Sequence, residues 1–169
     1  MTDIGTVLAR VGGELFQNAW VVDDLEAAKA AMGGALGCDA FVDFEMDPTW
    51  QVGGEVISSP MACAFARGGN MQIELMQPLG AGGVVADFLA RFGAGPHHLG
   101  IRVGDLDAAV AAAGVSTAMR ADFGPLRLAF LDTVDALGFY IELLDDPDGV
   151  LWTTKPWRDE QTGRLIRFD

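Results

Sequence analysis

Apolar and polar positions along this chain sort it into short elements. Residues 16–22 form a brief apolar run ending at Asp23 and Asp24, and the Ala-rich stretch from Leu25 to Leu36 has the composition of a helix that either aspartate can cap. Gly33, Gly34 and Gly37 loosen its end. Phe41–Glu45 and Met61–Arg67 alternate as half-buried strands do. Gly68-Gly69-Asn70 is a turn signal, and Met71–Met76 reads as the returning strand of a hairpin. The first unit is therefore β-α-β-β-β. Residues 82–92 predict a connecting helix stopped by Gly93 and Gly95. A strand at 97–103, a helix at 105–113 and strands near 115–121, 126–132 and 138–144 follow, with a turn at 133–136. The order is again β-α-β-β-β.

The two units also match residue by residue. Residues 17–28 return as residues 98–109, with Gln17 falling on His98 and Asp24 on Asp105, and Met71–Leu75 returns as Phe139–Leu143, with Glu74 on Glu142. A duplicated supersecondary unit accounts for both pairs. The expected organisation is a first module at 15–80, a connecting helix at 81–95, a second module at 96–148 and a C-terminal arm at 149–169 carrying Trp152 and Trp157. Gln17 and Glu74 are 57 positions apart, His98 and Glu142 only 44, so the first module carries 13 extra residues. They fit Met46–Pro60, read as a long loop with Trp50 as an exposed aromatic. Such a loop is either a lid over a pocket or a tolerated surface insertion.

Composition narrows the class. Eleven Lys and Arg against 24 Asp and Glu give a formal charge of −13, with no basic cluster of the kind that holds phosphate backbones, so no nucleic-acid partner is expected. No apolar run approaches the roughly 18 residues of a membrane helix, and no cationic segment leads into an apolar one at the N-terminus. The expectation is a cytoplasmic protein with no membrane partner. Cys38 and Cys63 lack CxxC spacing and are expected as reduced thiols, Cys63 as a small core residue near the pocket.

The matched positions carry the chemistry. Gln17, Glu74, His98 and Glu142 each offer an oxygen or nitrogen to a cation, and two related units facing one another bring all four together. Each Glu stands between Ile and Leu, where an unpaired carboxylate on a packed face is costly unless something stabilises it. One imidazole, two carboxylates and an amide oxygen form a hard, sulfur-free set suited to one divalent ion: Zn, Ni, Co, Mn or Mg. Only two histidines exist in the chain, and strand alternation puts His97 on the face opposite His98, in a structural role.

The strand followed by Asp-Leu-x-Ala-Ala, the two Ile-Glu-Leu runs and His97-His98-Leu99-Gly100 resemble the vicinal oxygen chelate superfamily, the glyoxalase I, bleomycin resistance and methylmalonyl-CoA epimerase group, over roughly residues 15–146. The resemblance implies an α+β fold in which two tandem βαβββ modules form a cup-shaped mixed sheet (the glyoxalase/bleomycin resistance/dihydroxybiphenyl dioxygenase fold), and it implies a homodimer. It places the metal ligands at Gln17, Glu74, His98 and Glu142. It implies a metal-dependent isomerase, epimerase or lyase that chelates a substrate's vicinal oxygens and removes a proton beside a carbonyl, with Glu142 as base and Glu74 as second acid/base. The substrate class is a small oxo or hydroxy acid or an acyl thioester, and Trp50, Cys63 and Arg127 are the candidate pocket residues. The chain departs from the epimerase pattern: Gln17 replaces a His, and Met61–Phe65 lacks a strand-three carboxylate, for which Glu55 is the nearest substitute. Arg67, Arg120 and Arg127 do not map onto the cationic residues a glutathione site needs. A non-catalytic binding or resistance protein is the alternative, and an extradiol-type dioxygenase is disfavoured by Gln17.

Overall fold

The computed structural model describes residues 4–38, 41–68, 71–149 and 151. A helix, α1 (Ile4–Val11), precedes the first unit: β1 (Glu14–Val21), α2 (Leu25–Leu36), β2 (Phe41–Met46), β3 (Thr49–Val52), β4 (Glu55–Ser58), β5 (Met61–Gly68) and β6 (Met71–Pro78). α3 (Val84–Phe92) connects it to β7 (Gly95–Arg102), α4 (Leu106–Ala113), β8 (Thr117–Phe123), β9 (Leu126–Leu131), a short α5 (Val134–Leu137) and β10 (Tyr140–Asp145). The expected C-terminal arm lies outside the described residues apart from Gly149 and Leu151.

Local chemistry explains the paired helices. Asp24 accepts a hydrogen bond from the Ala27 amide and Asp105 from the Ala108 amide, each satisfying an N–H that the first helical turn leaves unpaired. Gly37 (φ 66°) and Gly114 (φ 67°) end the same two helices in the left-handed region.

Among the described residues ten strands form one mixed sheet in the order β2-β5-β6-β1-β7-β10-β9-β8-β3-β4. β1 runs parallel to β6, β7 runs parallel to β10, and β1 and β7 meet antiparallel at the centre. The eight strands from β2 to β8 are thus two equivalent four-stranded halves joined edge to edge. On one face, Leu25 of α2 packs on Ala64 and Leu75, while Val7 of α1 and Leu106, Ala109 and Ala113 of α4 pack on Ala129, Leu131, Ile141 and Leu143. The other face carries the largest core, including Val21, Met61, Met76, Met119, Leu128, Phe130 and Leu144, with Val85 and Phe88 of α3 closing over it. The sheet curls around this face.

The structure corrects the segment expected as a loop at 46–60. It is a β-hairpin whose two-residue turn, Gly53 (φ 58°) and Gly54 (φ 92°), needs positive φ at both positions, as the twist of tight hairpins demands. The hairpin crosses to the other half of the sheet and pairs with β8 at Gln51 and Arg120. Trp50 is accordingly buried, not exposed, and meets Phe130 edge-on at 5.4 Å between ring centroids.

Candidate functional site

The central ladder brings the four repeat positions together. Gln17 pairs with Gly100 across β1 and β7, and Glu142 pairs with the same Gly100 across β7 and β10. Ala19 likewise lies between Glu74 on β6 and His98 on β7. All four side chains are buried. His98 Nε2 lies 2.9 Å from Gln17 Oε1 and 3.4 Å from Oε2 of both Glu74 and Glu142. Gly100 supplies the room: a Cβ there would come within 2.9 Å of both Cβ and Oε1 of Gln17.

The Gln17 amide is oriented by a residue the sequence reading passed over. Gln17 Nε2 donates to Gln72 Oε1, and Gln72 Nε2 donates to the Leu151 carbonyl at 2.8 Å, so Gln17 Oε1 is left facing His98. Gln72 is two positions before Glu74 and opposite Gln17 in the β1–β6 ladder; the shared strand face was the only signal available.

Burial pushes the Glu142 carboxyl up to about 7, the nearby His98 pulling it down and Glu74 pushing it further up. Its Oε2 has no hydrogen-bond partner among the described residues. Burial by itself would lower His98, but the charges of Glu142 and Glu74 and a hydrogen bond to Glu74 outweigh it and raise the imidazole.

His97 is not on the far face. The β1–β7 ladder skips from Ala19–His98 to Trp20–Pro96, making His97 an extra residue in a β-bulge. A bulge breaks the two-residue alternation, so both histidines border the same cavity, with their Nδ1 atoms 2.9 Å apart. A second irregularity leaves Phe16 unpaired just before Gln17. Phe16 and His97 are equivalent in the repeat, so the duplication extends to its bulges.

The cavity these residues border measures about 250 Å³. Gln17, Glu74, His97, His98 and Glu142 are its polar residues, and the remaining wall is apolar, with Trp50, Phe130 and four methionines prominent. Three expected pocket or substitute residues lie elsewhere. Arg127 alternates with the lining residues Leu126 and Leu128, so it points away, and its guanidinium pairs with Asp145 at 2.7 Å and Asp107 at 3.2 Å. Cys63 is fully buried in the core without bordering the cavity; burial first, and Glu74 second, raise its thiol well above the usual range. Glu55 is exposed at the start of β4.

Among the described residues no three His, Cys, Asp or Glu side chains form a ready-made cation cage. The donor types nevertheless fit a hard divalent ion: two carboxylates, one of them with an unpartnered oxygen, an imidazole nitrogen and an amide oxygen held in place through Gln72.

Comparison with known proteins agrees with this architecture. The family model of the glyoxalase/bleomycin resistance protein/dioxygenase superfamily matches residues 16–119. A methylmalonyl-CoA epimerase from Mycobacterium tuberculosis is similar at 27% identity and TM-score 0.59, covering 85% of this chain and 93% of its own. A hypothetical protein from Bacillus halodurans C-125 (21% identity, TM-score 0.61, 78% and 93% covered) and a Streptomyces coelicolor methylmalonyl-CoA epimerase bound to 2-nitronate-propionyl-CoA (23%, 0.58, 80% and 96%) share the fold. No curated protein sequence matches significantly. With the family model spanning more than half of its residues and the curled sheet built from two related halves, the chain belongs to the glyoxalase/bleomycin resistance protein/dioxygenase superfamily.

Proposed function

We propose that this protein is a metal-dependent enzyme that removes a proton beside a carbonyl in a small molecule bearing vicinal oxygens. The observation that carries the reading is Glu142, a buried carboxyl with one oxygen unpartnered among the described residues, raised by burial to about 7 in the ligand-free protein, bordering an apolar cavity beside His98, Gln17 and Glu74. A base is most useful when its pKa lies near the working pH, because it is then both deprotonated and basic enough to take a proton from carbon. Gln17, Glu74, His98 and Glu142 would hold the divalent ion, which when bound supplies Lewis acidity toward adjacent substrate oxygens. Glu142 takes the proton. Glu74, contributed by the other half of the sheet, is the second acid/base. Return of the proton to the same carbon gives epimerisation, return to a neighbouring atom gives isomerisation, and loss of an adjacent group makes the enzyme a lyase. The apolar wall keeps bulk water from the carboxyl and accepts an aliphatic or aromatic body. Its volume exceeds the roughly 150 Å³ of a cavity that holds benzene. Small 2-oxo, 2-hydroxy or acyl-thioester compounds with an apolar body fit this description, and the 27% identity to an epimerase supports proton transfer of this kind.

The test is exchange of the substrate's α-proton for deuterium, followed by NMR across hydroxyacyl, oxoacyl and thioester panels. Exchange that stops with a chelator and slows sharply in Glu142→Gln is the expected result; no exchange across the panels rejects the mechanism. The apolar wall also favours a second reading, a non-catalytic protein that sequesters a hydrophobic ligand. It predicts binding without exchange, unaffected by chelator.

A further inference from the structure

We propose that His97 is a positioning residue for this site: when a divalent ion is bound, its Nδ1 accepts a hydrogen bond from His98 Nδ1–H and so leaves the His98 Nε2 lone pair free for the ion. The inference rests on the metal-dependent reading above and adds a residue to it.

Two ring nitrogens 2.9 Å apart share one proton, because two lone pairs or two N–H groups at that distance repel. The contact therefore couples the two tautomers. His98 Nε2 is the atom surrounded by Gln17 Oε1 and by the carboxylate oxygens of Glu74 and Glu142. For that nitrogen to offer its lone pair to a cation, the ring proton must sit on Nδ1, and the atom facing Nδ1 is His97 Nδ1. His97 then carries its own proton on Nε2, which is buried and has no partner among the described residues.

The His97 ring is held by packing instead. Its centroid is 4.5 Å from that of Phe88, 5.3 Å from Tyr140 and 5.8 Å from Phe130. The first half of the molecule supplies the contrast. Phe16 occupies the equivalent bulge before Gln17 and can pack but cannot accept a hydrogen bond; there the orienting partner is Gln72, reached across the ladder. Each half thus fixes its first-strand donor, one through Gln72 and the other through His97.

The experiment measures Zn(II) affinity by competition with a chromophoric chelator in the parent protein, His97→Phe and His97→Gln. His97→Phe copies the residue that the first half already uses in this bulge. It is expected to weaken Zn(II) by roughly 10–100-fold, the usual effect of removing a partner that orients a ligating histidine. His97→Gln, which retains an acceptor, should recover part of the loss. Long-range proton–nitrogen NMR of the Zn(II)-loaded parent should show the proton of His98 on Nδ1 and that of His97 on Nε2. Equal affinity in His97→Phe and the parent, or a His98 proton on Nε2, overturns the inference while leaving the metal-dependent reading intact. If His97→Phe fails to fold, the parent spectrum decides. A parent that binds no Zn(II), Ni(II), Co(II), Mn(II) or Mg(II) rejects the metal-dependent reading, and this inference with it.

Discussion

The two halves of the sheet share a scaffold and differ in the groups mounted on it. Asp24 and Asp105 cap equivalent helices in the same way, and Phe16 and His97 sit in equivalent bulges. Yet one bulge precedes an amide and the other an imidazole. The first half also sends a hairpin across to β8 of the second, and Trp50 from that hairpin packs on Phe130. The shared features are those the backbone needs, such as caps, parallel ladders and bulges. The unshared groups named here, Gln17 against His98, Phe16 against His97 and the hairpin with Trp50, lie at or beside the cavity. Duplication explains why four side chains converge, whereas the differences between copies set what the cavity can do.

The largest test of that comparison sets one carboxylate against the other. Glu142→Gln should slow substrate proton exchange by about 10²–10⁴-fold, the range that a positioned base contributes. Glu74→Gln should cost less in the same assay. A larger loss in Glu74→Gln reverses the roles assigned to the two halves. In chelator-treated protein the same asymmetry appears as a pH effect. The Glu142 carboxyl has a folded value of about 7 against an ordinary 4.5, so between those values the native state holds a proton that the unfolded chain has released. Stability therefore falls as pH rises from about 4.5 to 7, by up to about 3 kcal/mol. His98, raised in the fold, acts in the same direction: its contribution is present at low pH and is lost as pH climbs through its folded value. Thermal melts from pH 4.5 to 8 check this, and Glu142→Gln should flatten the curve. An equally steep fall in that variant would place the effect elsewhere.

Much of this arrangement was legible before folding, and the misses share a cause. α2 spans Leu25–Leu36 as expected because its signals, Asp24 and Gly37, are local. The four converging positions could be found because each occurs twice in a matching context. The hairpin at Thr49–Ser58 differs from the loop expected there, although Gly53-Gly54 is a local turn signal, because its pairing partner β8 lies in the other half of the chain. α1 gave little signal, since it depends on packing that places Val7 among Ile101, Leu106 and Ala113. The bulge at His97 depends on the register between β1 and β7, which strand alternation within β7 cannot express. Arg127, a candidate for a substrate anion, is turned away by its strand face onto Asp145, and Cys63 packs in the core as its size suggests, without reaching the cavity.

Gly100 lies where the two halves touch closely at the cavity, and Gly100→Ala tests whether their convergence depends on that contact. The added Cβ meets Gln17 Cβ and Oε1 at 2.9 Å, so either the amide moves or the β1–β7 ladder opens. Overpacking of this kind costs about 1–3 kcal/mol, and denaturant melts should show the loss alongside weaker metal binding. A variant that keeps both stability and affinity would show that Gln17 can yield without consequence.

The smallest expected effect concerns the hairpin that only the first half possesses. Trp50 Nε1 is a buried donor with no partner among the described residues, while its ring packs on Phe130. Trp50→Phe retains an aromatic ring and removes the unpaired donor. The lost packing, about 0.5–1.5 kcal/mol for an aromatic pair, is then largely offset by the removed desolvation cost of about 1–3 kcal/mol. The melting temperature of the ligand-free protein should accordingly stay level or rise slightly. Calorimetry with a ligand found in the exchange or binding screens separates two roles for the indole. Unchanged affinity makes the hairpin a purely apolar cover, whereas weaker affinity at undiminished stability means that the indole N–H is retained for the ligand.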